Sequence, residues 1–263
     1  METPDAALRS ALAADPGRPL ITQYDDRTGE RVELSVATVD NWVSKTANLL
    51  QEAGVEPGST AAALLPAHWQ TAVVLLGCWR AGVAVGYSSV PGAVLPADAE
   101  PQVVFTAADR AAEAVALGAD FGADEVWALS LAPLAAPLRS VPAGASDYAV
   151  EVRGQGDRFA PFAPVDPAGP GLLSSVGTGS VGATGTVPLA GLAALGADRA
   201  STLGLAAGGR LLVGTDEAVQ PPVVDWLLAP LVVGAGLVLL RHPDPARVDR
   251  VAADERVTTR YPS

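Results

Sequence analysis

Residues 172–188 read LLSSVGTGSVGATGTVP, an apolar strand running into glycines and hydroxyl residues just before a helical pattern begins. Glycines let successive backbone N–H groups converge on an anion, and Ser and Thr hydroxyls add donors. A helix N-terminus adds partial positive charge, so the chemistry such a stretch serves is phosphate binding. The same composition also describes a surface Gly/Ser linker that holds nothing. No lysine follows any of these glycines, so the Walker A form G-x-x-x-x-G-K-[ST] is absent. The candidate ligand-binding residues are Thr178, Ser180, Gly182, Thr184 and Gly185.

Other reactive side chains are sparse. Of 17 basic residues a single one is lysine, Lys45, in the helical stretch DNWVSKTANLL, where a solvated surface lysine is expected. Cys78 lies on the apolar face of LLGCWRAG without a nearby base, so it reads as a small buried hydrophobe. His68 follows a strand and a proline at a helix start, where it either faces a ligand cleft or lies at the surface beside Trp69. His242 precedes Pro243 in a turn with no partner close in sequence. Asp25-Asp26 and Asp254-Glu255 fall in turns and element ends as solvated charge. No serine in the glycine-rich stretch has glycines two positions to either side, which disfavours a hydrolase nucleophile elbow.

Two histidines and one cysteine are too few soft ligands for a structural zinc site, and one cysteine forms no intrachain disulfide. No metal site is evident. The net charge of −12 with no basic run excludes nucleic acid and anionic membrane surfaces as partners. The apolar run 226–240 contains Pro230 and falls short of the roughly 20 residues a bilayer span requires. The amino terminus, METPDAALRSALAAD, lacks a signal's positive and apolar regions, so the expected location is cytoplasmic.

Residues 20–34 predict a hairpin turning at Thr28-Gly29. Ser35 then caps a helix whose Val36, Val39, Val43, Leu49 and Leu50 share one face, closed by Gly54. Continuous apolar strands at 60–65, 83–87, 102–106 and 125–129 alternate with helices at 68–81 and 107–117, as in a parallel sheet covered on both faces. Seven prolines interrupt this rhythm between 133 and 170, a stretch with one expected strand near 148–152. Beyond it come strands at 172–175, 210–214, 236–240 and near 257, and helices at 189–205, 219–233 and 245–252. The fold class is α/β, a mostly parallel sheet flanked by helices. The expected organisation is a single domain, 1–263, whose irregular connection at about 133–170 separates sub-regions 1–132 and 171–263.

The order of features resembles the adenylate-forming superfamily of acyl-CoA synthetases and AMP-binding ligases. LLQEAGVEPGS at 49–59 is similar to that family's L-x-x-x-G-V-x-P-G-D, and TAAALLP with LLGCWRAGVAVG at 75–86 to its strand, R-A-G helix end and next strand. LLAPLVVGAGLVLL at 227–240 resembles L-L-x-P-L-x-x-G-x-x-V-x-L, and VTTRYPS at 257–263 resembles its V-T-x-x-x-x-P strand. The phosphate loop S-G-T-T-G-x-P-K-G sets Ser180, Gly182, Thr184 and Gly185 on its serine, glycine, second threonine and second glycine, with Pro188 at the lysine. A second register, anchored on Ser175, Gly177 and Thr178, puts Ala183 there.

The resemblance covers the first half of the family's large domain. It stops before the stretches carrying the acidic metal ligand, the ribose-binding aspartate and the small domain with the catalytic lysine. One lost donor or charge costs about 3 kcal/mol of transition-state stabilisation, so losing several abolishes turnover. The implied function is a truncated, non-catalytic relative that binds a nucleotide, ATP or AMP, or an acyl or aryl group. The alternatives are a split ligase half completed by a lysine-bearing partner, or a structural subunit. Truncation exposes a strand edge and apolar area, so a homo-oligomer is expected.

Overall fold

The computed structural model describes residues 2–89, 99–174, 185–216 and 220–262. The chain divides into two compact units, one formed by Met1–Asp40, Ala67–Trp69 and Ala190–Ser263, the other by Asn41–Pro66 and Gln70–Leu189. Residues 133–170 lie inside the second unit. Among the described residues no helix is long and apolar enough to cross a membrane.

The first unit begins with α1 (Pro4–Ala14), which sequence periodicity left unassigned. Thr3 caps it, its Oγ1 accepting from the Ala6 N–H at 3.2 Å, and Pro4 fits the first turn because its missing N–H would be unbonded there anyway. β1 (Pro19–Asp25) and β2 (Glu30–Ser35) form the expected hairpin, with Gly29 at φ +75° in the turn. Strands β10 (Arg210–Thr215), β11 (Gly236–Arg241) and β12 (Thr259–Arg260) complete a sheet of order β12-β10-β11-β1-β2, parallel except for β2. α8 (Pro245–Asp254), capped by Asp244, lays Val251 and Ala252 against Leu212 and Val238 of that sheet.

α6 (Leu189–Leu203) and α7 (Ala229–Val232) also belong here apart from Leu189. α7 is preceded by one π-helical turn, Val224–Leu228, where the sequence predicts ordinary helix. Pro230 offers no N–H to the preceding turn, and the Ala229 N–H reaches back five residues to the Val224 carbonyl. The expected buried helix followed by a buried strand over 226–240 is otherwise present, with Trp226, Leu228, Val238, Leu239 and Leu240 fully buried.

The second unit carries a seven-stranded sheet of order β7-β6-β5-β3-β4-β8-β9. Its strands are β3 (Thr60–Leu64), β4 (Ala84–Ser88), β5 (Val103–Ala107), β6 (Glu125–Leu129), β7 (Ser146–Asp147), β8 (Pro170–Ser174) and β9 (Gly185–Pro188), all parallel except β9. Helices α2 (Val36–Glu52), α3 (Trp69–Arg80) and α4 (Ala111–Phe121) follow the predicted pattern. Ala62, Leu64 and Val104 pack with Ala114 and Val126, a core of small and branched side chains that brings the layers close. Gly118 of α4 has no Cβ because one would stand 3.2 Å from Val126 Cγ2.

Residues 148–152, expected as a strand, are instead the start of α5 (Tyr148–Arg153). Asp147 decides this locally, its Oδ1 accepting from the Ala149 N–H at 2.8 Å as an N-cap. Tyr148 then enters the core, edge-on to Phe105, with its hydroxyl 2.6 Å from Thr46 Oγ1.

Candidate functional site

β8 runs parallel to β4 through the pairs Val85–Leu172 and Gly86–Leu173. The chain therefore leaves β8 at Ser174, at the edge of the sheet where β3, β4, β5 and β6 also end. β9 returns antiparallel, pairing Ser174 with Gly185, Leu173 with Thr186, Leu172 with Val187 and Pro170 with Pro188. Gly185 stands at the exit of the glycine-rich stretch and is exposed. Thr178, Ser180, Gly182 and Thr184 lie outside the described residues.

This hairpin corrects the expected strand–loop–helix order. The helix that follows, α6, begins at Leu189, whose N–H donates to the Gly169 carbonyl at 3.0 Å, beside the start of β8. Its N-terminus is thus separated from Gly185 by the length of β9, about 13 Å at roughly 3.4 Å per residue. A helix dipole acts over its first turn, so α6 does not polarise a group bound at Gly185. Pro188, which occupies the lysine position in one register, sits at that same far end.

The strand order β5-β3-β4 makes a switch point between β3 and β5, where open parallel sheets place ligands. Sequence reasoning missed the residue that fills it, Arg110, in the 3-10 turn Ala108–Arg110 after β5. Its Nη1 donates to the Ser88 carbonyl at the end of β4 at 3.1 Å, and that carbonyl also accepts from the Leu65 N–H after β3 at 3.1 Å. Its Nε and Nη2 form a fork on Glu113 at 3.0 and 2.9 Å. The guanidinium is buried, so this pair ties three strand ends together. The only sequence signal was a polar ADR following an apolar strand.

Lys45 is not a free surface lysine. It pairs with Asp157 at 2.8 Å and donates to the Arg153 and Gln155 carbonyls, holding the 153–157 backbone on α2. Cys78 is buried as expected, and burial pushes its thiol far above the ordinary range. His68 is buried rather than at the surface, its ring 5.8 Å from that of Trp69. The Ala67 and Trp69 N–H groups on either side donate to Gln220 Oε1 and Gln23 Oε1, both at 2.9 Å.

Several of the supposedly solvated carboxylates are anchors. Asp25 accepts from His242 Nδ1 at 2.9 Å, and Asp26 pairs with Arg247 and accepts from the Asp244 N–H. Glu255 meets Tyr24 at 2.5 Å and Arg31 and Arg210 at 2.9 Å each. Asp225, 1% exposed, takes a fork from Arg199 at 2.6 and 3.1 Å and the Tyr261 hydroxyl at 2.7 Å. Among the described residues no three His, Cys, Asp or Glu side chains gather as metal ligands.

Residues 8–126 match the family model of AMP-binding enzymes. A TIGR03089 family protein of Mycobacterium tuberculosis (strain ATCC 25618 / H37Rv) is 42% identical over 255 residues, 96% of this chain and 95% of that protein. The chain belongs to the TIGR03089 family. In fold, this TIGR03089 member is similar to an acyl-CoA synthetase of Brucella canis, with a TM-score of 0.74 at 19% identity over 98% of this chain and 47% of that one. It is also similar to ATP-bound MatB of Rhodopseudomonas palustris, with a TM-score of 0.70 at 18% identity over 96% and 48%. The chain spans about half the length of these solved structures, so its fold is that of the first half of an acyl-CoA synthetase.

Proposed function

We propose that this chain is a non-catalytic member of the adenylate-forming group that binds an adenine nucleotide, ATP or AMP, or an acyl adenylate. The ligand lies at the strand-end edge of the seven-stranded sheet, against Thr178, Ser180, Gly182, Thr184 and Gly185. The observation that carries this reading is the β8–β9 hairpin, which anchors both ends of the glycine-rich stretch at that edge. The stretch offers backbone N–H groups and hydroxyls there but no cation. Pro188 stands at the base of the hairpin, and the lone lysine is paired with Asp157. Phosphate binding survives on such donors, whereas attack of a carboxylate on the α-phosphate, with pyrophosphate leaving, needs the growing charge neutralised. The buried Cys78 thiol is compatible with a reducing cytoplasm.

The test is pyrophosphate release from ATP·Mg²⁺ with a panel of short, branched and long carboxylic acids. No release above background is expected, and release that scales with this protein's concentration overturns the reading. A second reading has a separate polypeptide completing a ligase by supplying the cation that Pro188 and the Asp157-paired Lys45 do not. It predicts a co-purifying, lysine-bearing partner whose addition restores pyrophosphate release.

A further inference from the structure

At the carboxyl ends of the parallel strands of the five-stranded sheet, Thr215 of β10 pairs with Arg241 of β11, and Arg241 with Asp25 of β1. Asp25 pairs in turn with Glu30, the first residue of β2. Cross-strand partners share a face, so these four side chains form one transverse row. Gln23 stands one pleat behind Asp25 on that face and diagonal to Glu30, about 7–8 Å away, within reach of long side chains. Tyr24 and Arg31, the alternate residues, meet on the opposite face.

Three polar atoms of this group are buried and have no hydrogen-bond partner among the described residues: Gln23 Nε2, Thr215 Oγ1 and Glu30 Oε1. Gln23 and Thr215 are 1% and 2% exposed, and buried polar groups are nearly always bonded. Turning the amide round does not help, because Gln23 Oε1 accepts from the Trp69 N–H at 2.9 Å, which fixes the other end as the donor. The same contact begins a closed circuit. The chain leads back from Trp69 to Ala67, whose N–H donates to Gln220 Oε1 at 2.9 Å. Gln220 Nε2 donates to the carbonyl of Asp216, next to Thr215, and the row of strand ends returns to Gln23. Every member of the circuit belongs to the first unit.

The unused groups select the ligand. A carboxamide nitrogen only donates, which gives a metal ion or an ammonium group nothing to bind at Gln23. Asp25 and Glu30 disfavour an anion, and burial with the Asp25 charge already raises the Glu30 carboxyl. Arg241 stands 3.4 Å from Asp25, which also accepts from His242 Nδ1 at 2.9 Å, so these charges are matched within the group. What fits is a neutral ligand that accepts at Gln23, donates at Glu30 and does either at Thr215. A hydroxyl does both, and a ring bearing several hydroxyls bridges groups too far apart for one oxygen. We propose that the circuit encloses a binding site for a cyclic polyol, a sugar or an inositol, held by Gln23 Nε2, Thr215 Oγ1 and Glu30 Oε1. Gly185 belongs to the other unit, and the inference does not depend on nucleotide binding.

Saturation-transfer NMR of the intact protein tests it, with myo-inositol and D-glucose as probes and acetate as the charged control. Saturable binding of at least one of the two rings at millimolar concentration, with acetate inactive, is expected, and the ring that binds tells carbocycle from sugar. Thr215→Val weakens it about tenfold, the size of one neutral hydrogen bond, and Thr215→Ser restores it. The Thr215 hydroxyl has no partner among the described residues, so Thr215→Val keeps a urea midpoint at or above wild type. Lost binding then cannot be put down to unfolding. The Gly182→Asp, Gly185→Asp variant binds the polyol as the wild type does. No saturable binding of either ring overturns the inference and leaves ordered water as the partner of these groups. Binding indifferent to Thr215→Val, equal binding of acetate, or a urea midpoint lowered by Thr215→Val overturns it as well.

Discussion

Pro188 pairs with Pro170 at the open end of the β8–β9 hairpin, at the opposite end of β9 from Gly185. A lysine introduced at 188 therefore projects from the wrong end of the hairpin to meet a phosphate held by residues 178–185. Pro188→Lys is expected to leave ATP affinity unchanged. Ala183→Lys, the lysine position of the alternative register, places the charge within the glycine-rich stretch and raises affinity about tenfold, or 1.4 kcal/mol. Calorimetry of the two variants side by side checks this, and the reverse ranking refutes the hairpin assignment.

Gly77 of α3 faces Thr46 of α2 so closely that an added Cβ would stand 2.6 Å from Thr46 Cβ. Thr46 cannot yield easily, because its Oγ1 is bonded to the Trp42 carbonyl at 2.9 Å and to the Tyr148 hydroxyl. Gly77→Ala is expected to cost about 1–3 kcal/mol through overpacking, seen as a lowered urea midpoint. A midpoint equal to wild type would mean that the helices separate without penalty.

The buried carboxylate of Asp225 depends on Tyr261 and Arg199. Tyr261→Phe deletes a hydrogen bond to a charged acceptor with little change of shape, for an expected loss of about 1.5–3 kcal/mol. Urea titration reads it, and a loss below about 0.5 kcal/mol would show that Arg199 alone satisfies the carboxylate.

Much of the architecture was legible in the sequence because long elements repeat their apolar spacing. The 20–34 hairpin, the Ser35-capped helix and the alternation through residue 129 all announce themselves in this way. What periodicity missed is short or distant. α5 has six residues, and its Tyr-Ala-Val-Glu-Val run suits a strand until Asp147 caps it. The four residues of β9 end in proline, a weak strand signal that hid the hairpin. The division of the strands between two sheets is set by pairing partners, as with Ile21 and Leu237, that local pattern does not encode. The glycine-rich stretch was found by composition, while Arg110, His242 with Asp25, and Lys45 with Asp157 took their roles from residues remote in sequence or from the strand ends.

The titratable groups of the five-stranded sheet give stability a pH dependence of known sign. Burial alone would raise the Asp25 carboxyl, but the His242 hydrogen bond, the Arg27 N–H and the His242 and Arg241 charges outweigh it and hold it below its ordinary value. Burial likewise opposes, and the Tyr24 and Arg31 hydrogen bonds with the Arg31 and Arg210 charges override, at Glu255. Folded values below unfolded ones mean stability that is complete above about pH 4.5 and lost as the pH falls through the folded values.

Glu30 has the opposite sign. Burial and the Asp25 charge raise it, so its contribution is present at acid pH and turns into a cost as the pH rises through the folded value. Glu30→Gln is expected to stabilise the protein at neutral pH and change little below about pH 4, whereas Asp25→Asn does harm at neutral pH that fades in acid. Urea midpoints across pH 2–8 separate the two, and parallel profiles for both variants would contradict these assignments.

Isothermal calorimetry of the intact protein with AMP and with ATP·Mg²⁺, repeated on a Gly182→Asp, Gly185→Asp variant, tests the central claim most directly. Saturable binding to the wild type that disappears when two carboxylates are set beside the phosphates is the predicted result. No heat with either nucleotide, or binding that the two aspartates leave untouched, would contradict a nucleotide site at the glycine-rich hairpin.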